Sequence, residues 1–182
     1  MKNWKKVVSV LAVIGWMCMI FHYSDQPATE STKISDTVCY RMINAVDDWL
    51  SQGFTNEQKK AYAEAITYPV RKAAHMTEYA VLAVLILNVL YQFSLFAHRR
   101  RYYLFTQAGT SLYAATDEFH QRFVPGRSGN LTDVGIDSVG AVIALLIVFC
   151  IIKQYKKRKS DSSSANLLAV TVVVLIGMFQ RA

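Results

Sequence analysis

The chain has few of the residues that form disulfide frameworks or small metal-binding motifs. It contains three cysteines in 182 residues, Cys18, Cys39 and Cys150, and no pair of them is spaced as CxxC. An odd number of widely separated cysteines predicts neither a disulfide scaffold nor a zinc site. The sequence also lacks GxGxxG, P-loop, HExxH and GxSxG patterns, so it gives no support to a nucleotide-binding protein or to a hydrolase with a nucleophile elbow.

Charged residues are scarce as well, at 18% of the chain against 53% apolar residues, which is too hydrophobic for an ordinary soluble domain. The formal net charge is +7, and the basic residues cluster at 2–6, 98–101 and 153–159, each beside an apolar run. This placement is typical of membrane topology and not of a nucleic-acid footprint. We therefore expect the lipid bilayer as a partner, and no nucleic acid.

Four apolar runs predict transmembrane helices, at residues 7–23, 76–97, 102–116 and 131–152. The first could instead be a cleaved signal peptide, although no small-x-small cleavage site follows it. The run at 102–116 is short and contains Thr, Gln and Ser, so hydropathy alone leaves it undecided. If it crosses, all three basic clusters reach the cytoplasmic face, as the positive-inside rule requires. We therefore expect a multi-pass protein with a cytoplasmic N-terminus.

The predicted fold is an all-α polytopic membrane helix bundle with four transmembrane helices and a short fifth. Residues 1–152 form the membrane domain, 153–166 a basic and Ser-rich cytoplasmic linker, and 167–182 an apolar C-terminal segment. Within that segment, 167–179 predicts either the fifth span or a segment at the interface. The region from 24 to 72 predicts two short interfacial helices on the extracytoplasmic side, the second beginning with a capping box at Thr55 and ending at Pro69.

Polar residues converge on the predicted extracytoplasmic helix ends, where an unused polar group is costly. Residues three or four apart on each helix share a face, and the turn at Pro125 and Gly126 could direct Arg127 back towards them. The candidate ligand-binding site consists of His75, Glu78, Tyr79, Asp117, Glu118, Gln121, Arg127, Asp133 and Asp137.

Three chemistries fit this set, and spacing alone does not rank them. The first is an anion or phosphate clamp with Arg127 as a bidentate donor. The second is a metal site, with His75, Glu78 and Asp117 as candidate ligands, in a transferase or hydrolase acting on a lipid-linked phosphate or glycan. The third is a proton relay in a transporter. The residues could also be structural, with Arg127 paired to Asp117 or Asp133 and His75 paired to Glu78. No cofactor or catalytic residue is identified.

Three stretches give the chain a resemblance to the VanZ-like family of small membrane proteins, which includes the teicoplanin-resistance protein. They are WMCMIFHYSDQPATES, RKAAHMTEYAVLAVL and TDEFHQRFVPGRSGNLTDVGIDSVGA, and the resemblance covers most of residues 7–150. Many family members have Asn where this chain has Asp137. The family's recurrent positions correspond to Ser24, Lys72, His75, Glu78, Tyr79, Asp117, Glu118, Gln121, Phe123, Gly126, Arg127, Asp133, Asp137 and Gly140.

The resemblance implies a protein of the bacterial plasma membrane and cell envelope that contributes to glycopeptide resistance. Teicoplanin-type drugs act outside the membrane on lipid-linked cell-wall precursors, so the resemblance implies such a precursor, or the glycopeptide itself, as a candidate partner. It does not imply a reaction, because resistance is a phenotype and whether family members are enzymes is open.

Overall fold

The computed structural model describes residues 3–161, which contain five α-helices and no strand. The all-α prediction is therefore confirmed for this part of the chain, whereas the predicted fifth span at 167–179 lies outside the described residues. The helices are α1 (Asn3–Ser24), α2 (Ala28–Leu50), α3 (Asn56–Phe93), α4 (Arg99–Gln121) and α5 (Leu131–Asp161).

The central helix is α3, which packs against each of the other four. Lys72 near its middle pairs with Asp133 at the start of α5. Further along, the α3 backbone at Met76 lies against Gly140 of α5, so α3 and α5 run in the same direction. The ring of Tyr91, near the end of α3, stacks on Tyr102 near the start of α4 at 4.2 Å between centroids. Helix α4 therefore runs antiparallel to α3 and to α5.

The close approach of α5 to α3 depends on a glycine. A Cβ atom added to Gly140 would lie 2.3 Å from the carbonyl oxygen of Met76, so the two backbones touch where no side chain fits. Gly135, on the same helix, has nothing within 4 Å of an added Cβ. Small residues at helix contacts are typical of membrane bundles, where backbones pack closely.

Three helices have the length and composition of membrane spans among residues 3–161: α1, α3 and the Leu131–Lys159 part of α5. Helix α4, which contains the predicted span 102–116, is not apolar enough to be one of them. Its faces are nevertheless reversed relative to a soluble helix, because its buried stripe is largely polar and its exposed positions are large and apolar. The buried stripe is Tyr102, Thr106, Thr110, Ala114, Asp117, Glu118 and Gln121; the exposed residues include Leu104, Phe105, Leu112 and Phe119.

The three basic clusters lie at one end of the bundle, as the predicted crossing of α4 requires. The Lys6 ammonium group is 5.0 Å from the ring centroid of Phe93, which joins the start of α1 to the end of α3. Lys156, near the end of α5, is close enough to Arg99 at the start of α4 for the two charges to repel. We call this the basic end.

The predicted helix break at Pro69 is wrong, because α3 continues through this residue and is 38 residues long. The predicted capping box is confirmed: the Thr55 side chain accepts from the Gln58 amide, and the Gln58 side chain accepts from the Thr55 amide. An internal proline removes one backbone hydrogen bond. Helix α2 contacts α3 just before this proline, through a hydrogen bond from Thr67 to Asp36 at 2.9 Å.

The described part of the predicted linker is also helical. Helix α5 continues past residue 152 to Asp161, with Arg158 and Lys159 in its last turn. Cationic side chains interact favourably with the partial negative charge at a helix C-terminus, which favours this extension.

Candidate functional site

A polar cavity of about 110 Å³ lies at the end of the bundle opposite the basic end. The start of α2, the middle of α3, the last turn of α4, the turn at 126–128 and the start of α5 all contribute to its wall. Six of the nine predicted site residues line it: His75, Glu118, Gln121, Arg127, Asp133 and Asp137. Glu78, Tyr79 and Asp117 are not part of the wall.

Asp117 lies in the buried interior beside the cavity. Its Oδ2 atom accepts hydrogen bonds from the Tyr79 hydroxyl group at 3.1 Å and from the Gln121 amide at 3.2 Å. Its Oδ1 atom is buried and has no partner among the described residues. Tyr79 and Asp117 therefore connect α3 to α4, and Gln121 links this pair to the cavity.

Arg127 points back into the bundle, as the turn predicts, but it forms no ion pair with Asp117 or Asp133 in the described structure. Its Nε donates to the carbonyl oxygen of Gln26 at 2.8 Å, and its Nη2 donates to the carbonyl oxygen of Tyr23 at 3.0 Å. These bonds connect Arg127 to the end of α1 and to the segment between α1 and α2. Since carbonyl groups do not neutralise it, the guanidinium group retains its net positive charge at the cavity wall.

The turn that positions Arg127 depends on Gly126. This glycine has φ +74°, a left-handed conformation that side chains disfavour. An added Cβ would also lie 3.1 Å from the Cβ of Ala28. The amide of Ala28 donates to the carbonyl oxygen of Pro125 at 3.1 Å, so the turn is joined to the start of α2.

Two ion pairs lie at the cavity. Lys72 forms an ion pair with Asp133, and His75 Nδ1 lies 3.4 Å from Glu78 Oε2. The second pair matches the structural interpretation considered for His75. The Glu118 carboxylate accepts from the backbone amide of Asn130 at 3.0 Å.

Arg71 is a charged residue of the cavity wall that the sequence analysis did not identify. It lines the wall with Lys72 and forms no ion pair or hydrogen bond with any residue described. Burial, followed by repulsion from Arg71, lowers the pKa of Arg127 below its ordinary value. Arg71 precedes His75 by four residues, so helical spacing could have identified it as part of the same face.

The three candidate metal ligands, His75, Glu78 and Asp117, each have a partner within the protein. His75 and Glu78 contact each other, whereas Asp117 is engaged by Tyr79 and Gln121. Within residues 3–161, no group of three or more His, Cys, Asp or Glu side chains is arranged to hold a metal ion.

The family model described as VanZ/LLP1 matches residues 9–153. This range contains every residue that lines the cavity, together with Tyr79 and Asp117. Neither a curated protein nor a solved structure matches the chain.

Proposed function

The chain belongs to the VanZ/LLP1 family, and on this premise we propose that it binds an anionic or lipid-linked component of the cell envelope in the polar cavity. This binding lowers the sensitivity of the cell to teicoplanin-like glycopeptides. The function is that of a binding protein in the plasma membrane.

The observation that carries the proposal is the pair of guanidinium groups at the cavity. Arg71 has no partner among the described side chains, and Arg127 is bonded only to neutral oxygen atoms. Partly buried cations that form no ion pair attract an anionic ligand, and guanidinium groups match the geometry of phosphate and carboxylate oxygens. A small cavity beside them gives such a group a place to bind.

The position of the cavity supports an extracytoplasmic site. Lys6, Arg99 and Lys156 lie at the opposite end of the bundle, and the positive-inside rule assigns that end to the cytoplasm. The cavity then opens on the side where glycopeptides meet lipid-linked cell-wall precursors. A protein that binds an envelope component there can alter access of the drug without a chemical reaction.

The test is a sensitivity assay in a host that lacks the protein, comparing teicoplanin with vancomycin. The variants are Arg71→Ala, Arg127→Ala and the matched control Arg41→Ala, which removes an exposed arginine of α2 outside the cavity. Membrane levels are compared by immunoblot. We expect teicoplanin protection from the wild type and from Arg41→Ala, and sensitivity at the level of the empty host for both cavity variants. Undiminished protection from well-expressed Arg71→Ala and Arg127→Ala would overturn the proposal.

A further inference from the structure

The cavity also contains a carboxylate without a hydrogen-bond partner. Asp137 lines the wall and is only 3% exposed. It forms no hydrogen bond or ion pair with a residue in the described range. A carboxylate only accepts hydrogen bonds, and a buried one without donors is costly. A donor group that enters the cavity would therefore give Asp137 a hydrogen-bond partner.

The cavity has two levels along the bundle axis. Arg71 lies about one helical turn before His75 on α3, and Asp133 lies one turn before Asp137 on α5, which corresponds to about 5 Å. Because α3 and α5 run in the same direction and Lys72 pairs with Asp133, the first residues of each pair share the outer level. His75 and Asp137 share the inner level, where they interact electrostatically.

Within the described structure, internal pairing leaves a different side chain without a partner at each level. At the outer level the Lys72 charge is balanced by Asp133, so the guanidinium group of Arg71 remains without an ion-pair partner among the residues described. At the inner level His75 directs Nδ1 to Glu78, so the carboxyl group of Asp137 remains without a hydrogen-bond partner in the described range. A ligand that satisfies both levels has an anionic group outside and a hydrogen-bond donor deeper in the cavity.

We propose that the cavity recognises a phosphate ester whose head group carries an ammonium or hydroxyl donor. The phosphate group binds at Arg71 and Arg127, and the donor binds Asp137 about one helical turn deeper. A cavity of about 110 Å³ holds several water-sized groups, which suits a small head group and not a whole glycan. This inference rests on the proposed function and specifies the ligand class. Such a head group can belong to a membrane lipid or to a soluble phosphate ester.

The test compares ligands that differ in the donor. The purified full-length protein in detergent is titrated with dihexanoyl phosphatidylethanolamine, dihexanoyl phosphatidylcholine, free phosphoethanolamine and inorganic phosphate, and affinities are measured by calorimetry. Ethanolamine and choline head groups have the same charge, but the quaternary ammonium of choline has no N–H donor. We expect the wild type to bind the ethanolamine lipid about tenfold more tightly than the choline lipid, since a hydrogen bond to a charged group is worth about that factor.

The variant Asp137→Ala is expected to bind the two lipids equally, while the control Asp48→Ala, which removes an exposed carboxylate of α2, keeps the preference. If Asp137→Ala does not elute as a single species on size exclusion, Asp137→Asn is used instead, and its preference is expected to fall at least threefold because the negative charge is lost. If free phosphoethanolamine binds as tightly as the ethanolamine lipid, the head group alone is sufficient for binding. If it binds more weakly, the acyl chains contribute part of the affinity. Both results support the ligand class.

The outcomes separate this inference from the proposed function. Equal affinity of the wild type for both lipids, or an unchanged preference in the Asp137 variant, would overturn the donor assignment while leaving anion binding intact. Failure of every probe, inorganic phosphate included, would overturn both.

Discussion

The hydroxyl group of Tyr79 donates a hydrogen bond to Oδ2 of Asp117 at 3.1 Å and thereby joins α3 to α4 inside the bundle. Tyr79 is fully buried, and Asp117 is 3% exposed. The other donor to this carboxylate is Gln121, whose side-chain oxygen lies 3.5 Å from Nη1 of Arg127. The buried pair thus reaches the cavity through one side chain, and a change at Tyr79 affects both packing and the position of Gln121.

Tyr79→Phe removes this hydrogen bond and keeps the aromatic ring. We expect the free energy of unfolding to fall by about 1–3 kcal/mol, because Asp117 is left with one donor in a buried environment. Thermal unfolding in detergent gives the measurement. Tyr62→Phe is the matched control, since Tyr62 is 45% exposed and its ring contact with Phe54 is kept. Equal melting temperatures for both variants would show that the hydrogen bond does not stabilise the bundle.

Two alanine substitutions on α5 are expected to have opposite effects. Gly140→Ala places a methyl group 2.3 Å from the carbonyl oxygen of Met76, so α5 must move away from α3. We expect the free energy of unfolding to fall by about 1–3 kcal/mol, which is typical of overpacking. Gly135→Ala meets nothing within 4 Å and should be neutral or stabilising by up to about 1 kcal/mol through helix propensity. Thermal unfolding of the two proteins side by side tests this; similar losses would contradict the close approach at Gly140.

The contact between α2 and α3 is expected to depend on pH. Hydrogen bonding to the Lys59 ammonium group, with a further hydrogen bond from the Phe54 amide, holds the pKa of Asp47 below its ordinary value of 3.8. A lowered pKa means that the contact contributes fully above about pH 4 and is lost as the pH falls below that value. Hydrogen exchange protection of the Phe54 amide, corrected for intrinsic rates, should therefore decrease on acidification.

The control for this experiment is Asp47→Asn, which keeps a side-chain acceptor for the Phe54 amide but has no charge for Lys59. Protection in this variant should be lower than in the wild type near neutral pH and independent of pH between about 6 and 3. Wild-type protection that does not change on acidification would argue against a stabilising ion pair.

Cysteine labelling tests the orientation in the membrane. Trp49→Cys, at the exposed end of α2, should react with a membrane-impermeant maleimide in intact cells, whereas Arg100→Cys at the basic end should react only after permeabilisation. The protein with its native cysteines alone sets the background, because Cys39 is buried and Cys18 and Cys150 lie on α1 and α5. The reverse pattern would place the cavity on the cytoplasmic side.

Helical spacing correctly placed several candidate residues on shared helix faces, because residues three or four apart share a face whatever the tertiary structure. It put Asp133 and Asp137 on one face of α5, while the turn at Pro125 and Gly126 indicated the direction of Arg127. It could not identify the partners of Arg127, since the carbonyl oxygens of Tyr23 and Gln26 lie about a hundred residues away and belong to the backbone. Charge complementarity alone favoured a carboxylate partner, which the described structure does not provide.

The course of α3 shows where local rules fail. Proline is a reliable helix breaker only when nothing else holds the helix, and two residues before Pro69 the Thr67 side chain bonds to Asp36 of α2. The capping box at Thr55 was predictable because its two hydrogen bonds are local. Residue Gly140 could be assigned to a helix contact by composition, but Gly135 could not be distinguished from it, because the register of α5 on α3 is a tertiary property.

The reversed faces of α4 have a consequence for how the protein is made. A helix whose buried stripe carries Thr106, Thr110 and Asp117 gains little by entering hydrocarbon alone, since those groups would meet lipid without partners. We expect transfer to become favourable once α3 and α5 cover the stripe, so that the exposed Leu104 and Leu112 can face the acyl chains. We therefore expect insertion of α4 during biogenesis to be coupled to assembly of its neighbours, and a chain truncated before α5 to leave α4 outside the bilayer.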